Sequence, residues 1–281
     1  MRSAFASSRS LRFGGLIALA LPLLSPAATS ACAETLRVHY AVSLIGLPIG
    51  VAGFTGVFAP TSYRIDVNAR LTGLAGLLTS SRGAATAEGA IAGGRIIPVA
   101  YAVSTSNSDG TRTVRMSMSG GAVRGVDISP PIESRPDRIP LTEAHKRGVI
   151  DPMSALLMPV PEASPNLGPS ACNRTLPIFD GYTRFDISLS YVGQRQVKTK
   201  GYAGPVAMCA VRYTPIAGHR PDKKNTQFMA DNRQIETWLA PVGATRLLVP
   251  YRISVKTQIG TTVIEASDFA VDQTRKASAA Q

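Results

Sequence analysis

The chain has 281 residues, of which 30 are lysine or arginine and 18 are aspartate or glutamate, so its formal net charge is +12. A chain of this length buries enough surface to fold without a structural metal, and it allows one large domain or two small ones. After residue 33, no stretch reaches the roughly 20 apolar residues that cross a bilayer core of about 30 Å. The part of the chain after residue 33 is therefore expected to be soluble or peripheral.

Residues 1–33 have the pattern of a cleavable secretory signal. A positively charged segment comes first, with Arg2, Arg9 and Arg12. A short apolar stretch follows at 14–24, and Ala31-Cys32-Ala33 fits the small-x-small rule for cleavage. We therefore expect export to the periplasm and a cut after Ala33, before Glu34.

Two alternatives to this cleavage stay open. The apolar stretch at 14–24 would be an uncleaved anchor, although it is short for a bilayer span. Cys32 would carry lipid in a lipoprotein, although Thr29 stands where a large aliphatic residue is expected. The exported, cleaved protein is the favoured interpretation.

The region after the signal is dominated by alternation of apolar and polar residues, which is typical of strands with one buried face. Val38, Tyr40 and Val42 give this pattern first, and Gly46–Gly50 predicts a turn after them. Asn107–Gly110 is a strong turn signal, and such short turns favour an antiparallel meander. Further strands are predicted at about 50–58, 63–71, 82–91, 95–105, 111–119 and 122–128.

Prolines interrupt this pattern at 129–170. We predict one short helix at Leu141–Arg147 and a second that starts at Asp151, with Asp151 as its cap and Pro152 in its first position. Strands resume after Cys172, with a hairpin turn at Asp180-Gly181. They are predicted at about 174–179, 183–192, 195–203, 206–214, 233–240, 246–257 and 261–270.

About a dozen strands predict an all-β, mainly antiparallel fold. Because so long a sheet curls to avoid exposed edges, we expect a curled sheet or open barrel-like wrap, with one or two short helices around 141–158 covering or plugging it. The expected organisation is a signal at 1–33, a single β-rich domain at 34–271 and a flexible tail at 272–281.

Two cysteines, Cys172 and Cys209, remain after cleavage. In an oxidising compartment, two cysteines most simply form one disulfide, which here closes a loop of about 37 residues. Two separate buried thiols are the alternative.

The sequence contains no recognisable catalytic or cofactor motif. The nucleophile elbow, the dinucleotide fingerprint, the phosphate loop and the zincin helix are all missing. His39, His145 and His219 lie far apart, with no carboxylate at metal-ligand spacing. We expect no cofactor and no metal, and we favour a role without catalysis while leaving an enzyme open.

Two basic stretches are candidates for contact with anions. One is the loop at 218–224, with His219, Arg220, Lys223 and Lys224. The other comprises Arg135, Arg138, His145, Lys146 and Arg147. For an exported protein the fitting partner is an anionic lipid or lipopolysaccharide phosphate rather than nucleic acid, and ordinary solvated loops are the alternative.

From Leu36 to about Val271 the chain resembles the DUF3108 domain family of exported proteobacterial proteins. The resemblance rests on the strand order and on short stretches: Tyr40-x-Val42 with the Gly46–Gly50 turn, Asp151-Pro152-Met153-Ser154-Ala155-Leu156, Phe179-Asp180-Gly181, Cys209-x-x-x-Tyr213 with Pro215–Arg220, and Trp238-Leu239. It implies a periplasmic β-rich fold akin to the half-barrel lipoprotein carriers of the envelope, and it supplies no known catalytic residues to carry over. Family members often have arginine after the Asp-Gly turn, and Tyr182 in its place argues against a role for that turn.

Three hypotheses of function follow. The first is a protein that binds a hydrophobic or amphipathic envelope molecule in the curled sheet, with basic loops on its anionic head group. Its apolar wall would include inward-facing residues that also suit an ordinary core: Met116, Met118, Phe185, Tyr191 and Met208. The second is a structural or assembly factor of the envelope that acts through protein contacts. The third is a polysaccharide-active enzyme, which would need two carboxylates about 5–10 Å apart in an open groove.

Overall fold

A computed structural model describes residues 33–73, 76 and 81–274. Residues 1–32 of the expected signal, including Cys32, lie outside the described residues, as does the tail from 275 onward. The last strand continues to Thr274, three residues into the segment expected as a tail. Among the helices of the described residues, none has the length and apolar character needed to cross a membrane.

Seven strands of the first half form an antiparallel meander, as the alternating pattern predicts. They are β1 (Ala33–Leu44), β2 (Leu47–Phe58), β3 (Ser62–Leu71), β4 (Arg82–Ala92), β5 (Arg95–Asn107), β6 (Gly110–Ser119) and β7 (Ala122–Ser129). The first turn is Ile45-Gly46 alone, so Pro48 and Gly50 lie inside β2 and not in the turn as expected.

The second half forms another antiparallel meander. Its strands are β8 (Met158–Pro159), β9 (Arg174–Phe179), β10 (Arg184–Thr199), β11 (Tyr202–Ala217), β12 (Ile235–Pro241), β13 (Leu247–Thr257) and β14 (Gly260–Thr274). The strands expected separately at 183–192 and 195–203 are mostly one strand, β10, because a bulge between Tyr191 and Gly193 lets the pairing with β11 continue.

The two meanders join through the first and last strands. The order across the sheet is β7-β6-β5-β4-β3-β2-β1-β14-β13-β12-β11-β10-β9, with β8 added beside β13. The sheet is one antiparallel layer and does not close, because β7 and β9 are its edges and do not pair with each other. The predicted all-β, curled fold is therefore confirmed in its open form.

The curl makes the two edges overlap. The β9–β10 turn lies against the concave face of β6, since a Cβ atom on Gly181 would come 2.5 Å from Val114 Cγ1. Phe179, at the end of β9, is fully buried in a cluster with Tyr101 and Met116 of the opposite edge. One edge of the sheet thus lies inside the curl of the other, although residues 124–127 of β7 stay exposed.

The connection between β7 and β9 fills the gap between these edges. Val149 N donates to Gly121 O (3.0 Å), Ile150 N donates to Pro177 O (2.9 Å), and Phe179 N donates to Ile150 O (3.0 Å). Buried side chains from the same connection enter all three apolar clusters of the interior: Val149, Leu157, Met158 and Val160. The segment around 141–158 therefore plugs the curled sheet, as expected.

The helices differ from the prediction in type and in place. The two expected helices are short 3₁₀ turns at Glu143–Lys146 and Ser154–Leu156, and a third 3₁₀ turn lies at Pro169–Ala171. The second contains one α-type bond, from Ala155 N to Asp151 O (3.0 Å), but the chain does not continue it into an α-helix. An α-helix that was not predicted, α1 (Lys224–Asp231), joins β11 to β12.

A disulfide joins Cys172 to Cys209, with 5.6 Å between their Cα atoms. This is the pairing expected from the sequence. Both residues are fully buried within the cluster that also contains Leu189, Leu239 and Leu248. The bond therefore fixes the end of the β7–β9 connection, just before β9, to the middle of β11.

Candidate functional site

A cavity of about 790 Å³ lies at one end of the curled sheet. The antiparallel order places the turns at 45–46, 108–109, 180–183 and 258–259 at this end, which we call the open end. The lining comes from strand ends of both meanders, including Val42, Ala52, Leu71, Thr105, Pro130, Tyr182 and Ile264. A volume of this order fits a drug-sized or lipid-like molecule.

Register decides which side chains face the cavity. Ala52, Ala69 and Gly83 lie directly opposite one another on neighbouring strands, and the same row continues through Thr105 to Arg112. Arg112 shares its face of β6 with the buried Val114, because side chains two apart on a strand point the same way. The concave wall is thus small and apolar, and it ends in the guanidinium of Arg112.

The neighbouring row at the same rim faces outward and is basic. Arg70 of β3 lies directly opposite Arg82 of β4, and both are exposed. Among the described residues, neither of them has an acidic partner, and the same is true of Arg112. Asp109 is the one carboxylate in the cavity lining. The rim is therefore net positive and its cations are free to bind an anion.

Tyr182 lies where this cavity meets a second recess of about 380 Å³. Asp180 positions it by accepting hydrogen bonds from Tyr182 N (3.0 Å) and Thr183 N (2.6 Å). Burial raises the pKa of Tyr182, and the Asp180 carboxylate adds to the rise. The positive charges of Arg112 and Arg138 oppose it, so both guanidinium groups act on this phenol.

The two basic stretches found in the sequence meet beside this recess. Ile139 N donates to His219 O (2.9 Å), and Gly218 N donates to Ile139 O (2.8 Å). Arg138 donates to Gly218 O through one of its terminal nitrogens (2.5 Å). Arg138 and the loop at 218–219, about 80 positions apart in sequence, are therefore in contact at the open end. Arg135 is paired with Glu133, and Arg147 is bridged to Ala122 at the opposite end of β7.

Not every cation of the predicted anion loop is free. Arg220 is paired with Asp137, and this hydrogen bond lowers the pKa of the Asp137 carboxyl. His219 is half-buried, with no partner for its Nδ1 among the described residues. Lys223 precedes α1 and Lys224 begins it, both exposed. His145, Lys146 and Arg147 belong to the 3₁₀ turn or its end, where Lys146 pairs with Glu143.

Sequence reasoning missed Arg112 and did not place Tyr182. Arg112 follows a turn and looks like an ordinary surface residue. Its spacing of two, four and six residues from Val114, Met116 and Met118 nevertheless places it on the same face of β6 as these buried side chains. The weaker role expected for the turn because of Tyr182 stays a prediction, and the structure places this side chain between the cavity and the recess.

A buried polar group lies deeper in the barrel and is structural. Asp151 Oδ1 accepts hydrogen bonds from Met153 N and Ser154 N, both at 2.9 Å, and its other oxygen accepts one from the Ser154 hydroxyl. Ser154 Oγ in turn lies 2.6 Å from Tyr63 Oη. Burial raises the pKa of Asp151, against the effect of these hydrogen bonds. The group holds the bend that leads into the 3₁₀ turn and does not line the cavity. That turn begins at Ser154 with Met153 before it, and not at Asp151-Pro152 as expected.

Within the residues that the structure describes, no group of three or more histidine, cysteine or acidic side chains is arranged to hold a metal ion. The cavity lining also lacks the second carboxylate that hydrolysis of a glycosidic bond would use. The arrangement suits binding of an amphipathic anion by an apolar wall and a basic rim.

Fold and site together define a barrel-like antiparallel β protein with a cavity at one open end. The chain belongs to the family described as "Protein of unknown function (DUF3108)", which matches residues 35–267. Its fold is similar to that in the crystal structure of a beta-barrel-like protein of the domain of unknown function DUF1849 from Brucella abortus, with a TM-score of 0.51 and 11% sequence identity. The match covers 85% of this chain and 98% of that chain, and at this identity it concerns the fold alone. A comparison with curated proteins gave no match.

Proposed function

We propose that the protein is a periplasmic binding protein for an amphipathic envelope molecule with an anionic head group. The apolar part of the molecule occupies the cavity at the open end, and the head group contacts Arg112 at its rim. Periplasmic location rests on the signal pattern at 1–33, with cleavage after Ala33. No catalytic step is required of the protein.

The observation that carries this proposal is the wall of the cavity. Small residues of the concave row leave a space of about 790 Å³ with an apolar wall on one side and polar and charged residues at its rim, and the row ends at a cation with no acidic partner among the described residues. Apolar surface favours a hydrocarbon chain, and a guanidinium at the rim favours a phosphate or carboxylate. Tyr182 adds a hydroxyl between the cavity and the second basic recess.

The test is native mass spectrometry of the protein purified from its own periplasm, followed by organic extraction. We expect a mass that begins at Glu34 and a co-purifying amphipathic molecule in near-stoichiometric amount. The variant Arg112→Gln keeps the cavity and removes the charge, so it should lose most of that molecule. Arg124→Gln is the matched control, because Arg124 is an exposed arginine of β7 outside the cavity lining.

A wild-type protein that carries nothing after this procedure would contradict the proposal. An envelope assembly factor that acts through protein contacts would then be favoured. The observation behind that alternative is the edge strand β7, where Val126 is 37% exposed. Arg124 and Asp127 on the same short strand make it a poor template for strand addition, which places this function second.

A further inference from the structure

We propose that the hairpin tips at the open end bind the surface of an anionic phospholipid bilayer. The binding element is the tip patch, which consists of Ile45, Leu47 and Ile259. These aliphatic side chains are 67%, 70% and 72% exposed, the highest values among the large apolar residues that the structure describes. This inference goes beyond the proposed function, because it does not depend on any molecule in the cavity.

The tip patch is continuous across two hairpins. Ile45 belongs to the β1–β2 turn and Ile259 to the β13–β14 turn, and β1 pairs with β14 between them. Ile45 N donates to Thr261 O (2.9 Å), which ties the two tips together. The Ile45 side chain lies over the second tip, since a Cβ atom on Gly260 would come 2.3 Å from Ile45 Cγ1. Apolar side chains on adjoining tips can therefore enter a bilayer interface together.

The backbone at Ile45 is a second, independent sign that this side chain has a role outside the fold. Ile45 has φ of 51° and Gly46 has φ of 78°, and Ile45 is the one non-glycine residue with positive φ in the described chain. A two-residue turn with positive φ at both positions prefers Asn-Gly or Gly-Gly, and a β-branched residue there is strained. The turn holds an isoleucine at a cost in stability, and that side chain is two-thirds exposed.

Charge around the tips complements an anionic bilayer. Lys256 lies beside the second tip, and Arg70 and Arg82 lie opposite each other on the outward row of the adjoining strands. Among the described residues, none of these three cations has an acidic partner. By contrast, Arg64 and Arg115, farther along the same sheet, are each paired with carboxylates. Aliphatic tips flanked by free cations are the combination that binds an anionic interface.

Co-sedimentation of the purified full chain with vesicles tests this inference. We expect binding to vesicles of phosphatidylethanolamine and phosphatidylglycerol at low salt, weaker binding at high salt, and little binding to phosphatidylcholine vesicles. The double variant Ile45→Asn/Ile259→Ser should reduce the partition by about tenfold or more. Asn in the first position suits the turn, so this variant should keep its fold. Arg70→Gln/Arg82→Gln should remove the preference for phosphatidylglycerol.

Val99→Ser is the matched control, because Val99 is 49% exposed on β5 and lines a recess with Ala59 and Ser62, at the end of the sheet opposite the tips. Circular dichroism melting of each variant shows that the fold is retained. Equal binding to both kinds of vesicle, unchanged binding of Ile45→Asn/Ile259→Ser, or an equal loss in Val99→Ser would each overturn the inference. Arg112→Gln separates the two proposals, since it should lose the co-purifying molecule and still bind the vesicles.

Discussion

Tyr63 and Ser154 meet inside the curled sheet, with 2.6 Å between their hydroxyl oxygens, although 91 positions separate them in the chain. Ser154 also donates to Asp151, so a strand of the first meander is tied to the plugging segment by a polar chain within an apolar interior. Removal of one partner from such a buried hydrogen bond strongly lowers the stability of the fold, because the other partner is left buried and unpaired.

Asp151→Ala should therefore destabilise the protein by about 2–4 kcal/mol, because Met153 N and Ser154 N would both lose their acceptor. Asp151→Asn keeps one oxygen as an acceptor for these two donors, so this variant should lose less stability than Asp151→Ala. Urea unfolding followed by the fluorescence of Trp238, the single tryptophan of the chain, measures both.

The Asp151→Asn variant should also change the pH dependence of stability. Burial raises the pKa of Asp151, so the folded state takes up a proton at higher pH than the unfolded state. The contribution of this carboxyl to the free energy of unfolding is fully present below its unfolded pKa of about 4 and is lost as the pH rises through its folded pKa. The deficit of Asp151→Asn relative to wild type should therefore shrink from acid to neutral pH, and a deficit that grows instead would contradict this assignment.

Gly181→Ala tests the overlap of the two sheet edges. Gly181 has φ of 110°, and an added Cβ would come 2.5 Å from Val114 Cγ1, so we expect a loss of about 2–4 kcal/mol. Gly120→Ala is the control, because Gly120 has φ of 60° but nothing within 4 Å of the added atom, and it should lose only about 1 kcal/mol. Similar thermal melting of both variants would mean that the β9–β10 turn does not press on β6.

Removal of the disulfide should weaken the fold without changing its topology. Cys172 and Cys209 are 37 positions apart, and a closed loop of that size contributes roughly 4 kcal/mol in the chain-entropy model. Cys172→Ala/Cys209→Ala should unfold at correspondingly lower urea concentration and keep its far-ultraviolet circular dichroism. A variant as stable as wild type would show that the loop is already constrained in the unfolded chain.

Asp137→Asn tests the basic surface beside the recess. The change releases Arg220 from its partner and adds one positive charge to the open end. We expect tighter binding of an anionic amphiphile and little change in melting temperature, because exposed ion pairs contribute little to stability. Titration with a fluorescent fatty acid measures the effect, and Glu162→Gln is the control for an added charge elsewhere. Weaker binding in Asp137→Asn would mean that Arg220 has to be held in place.

The strands were predictable because alternation along a half-buried strand is a local property of sequence. The helix Lys224–Asp231 was not predictable, because its residues carry no clear apolar stripe and basic residues precede it. A tertiary contact holds the end of this helix in place, because Asn232 Nδ2 donates to Lys256 O (2.8 Å) on β13. Contacts of this range decide the structure of segments whose own preference is weak.

The open end was predictable in part. The sequence indicated basic loops and apolar strand faces, and both occur there. It did not indicate that Asp137 neutralises Arg220, or that Arg112 and Tyr182 share a rim, because these relationships depend on how the two meanders wrap. The unusual backbone at Ile45 could have been predicted, since a two-residue turn usually has asparagine or glycine, and not isoleucine, before the glycine in its second position.

The pairing of β1 with β14 has a consequence for biogenesis. Leu36 lies opposite Val271, so the centre of the sheet is built from residues at opposite ends of the described chain. A polypeptide is synthesised from its N-terminus. The edge of β1 that pairs with β14 is therefore exposed until more than two hundred further residues have been added. During that interval the strand presents unpaired amides to any neighbour, and contacts so distant in sequence form slowly. In newly made protein this edge of β1 therefore stays without its native partner until the last strand has been made.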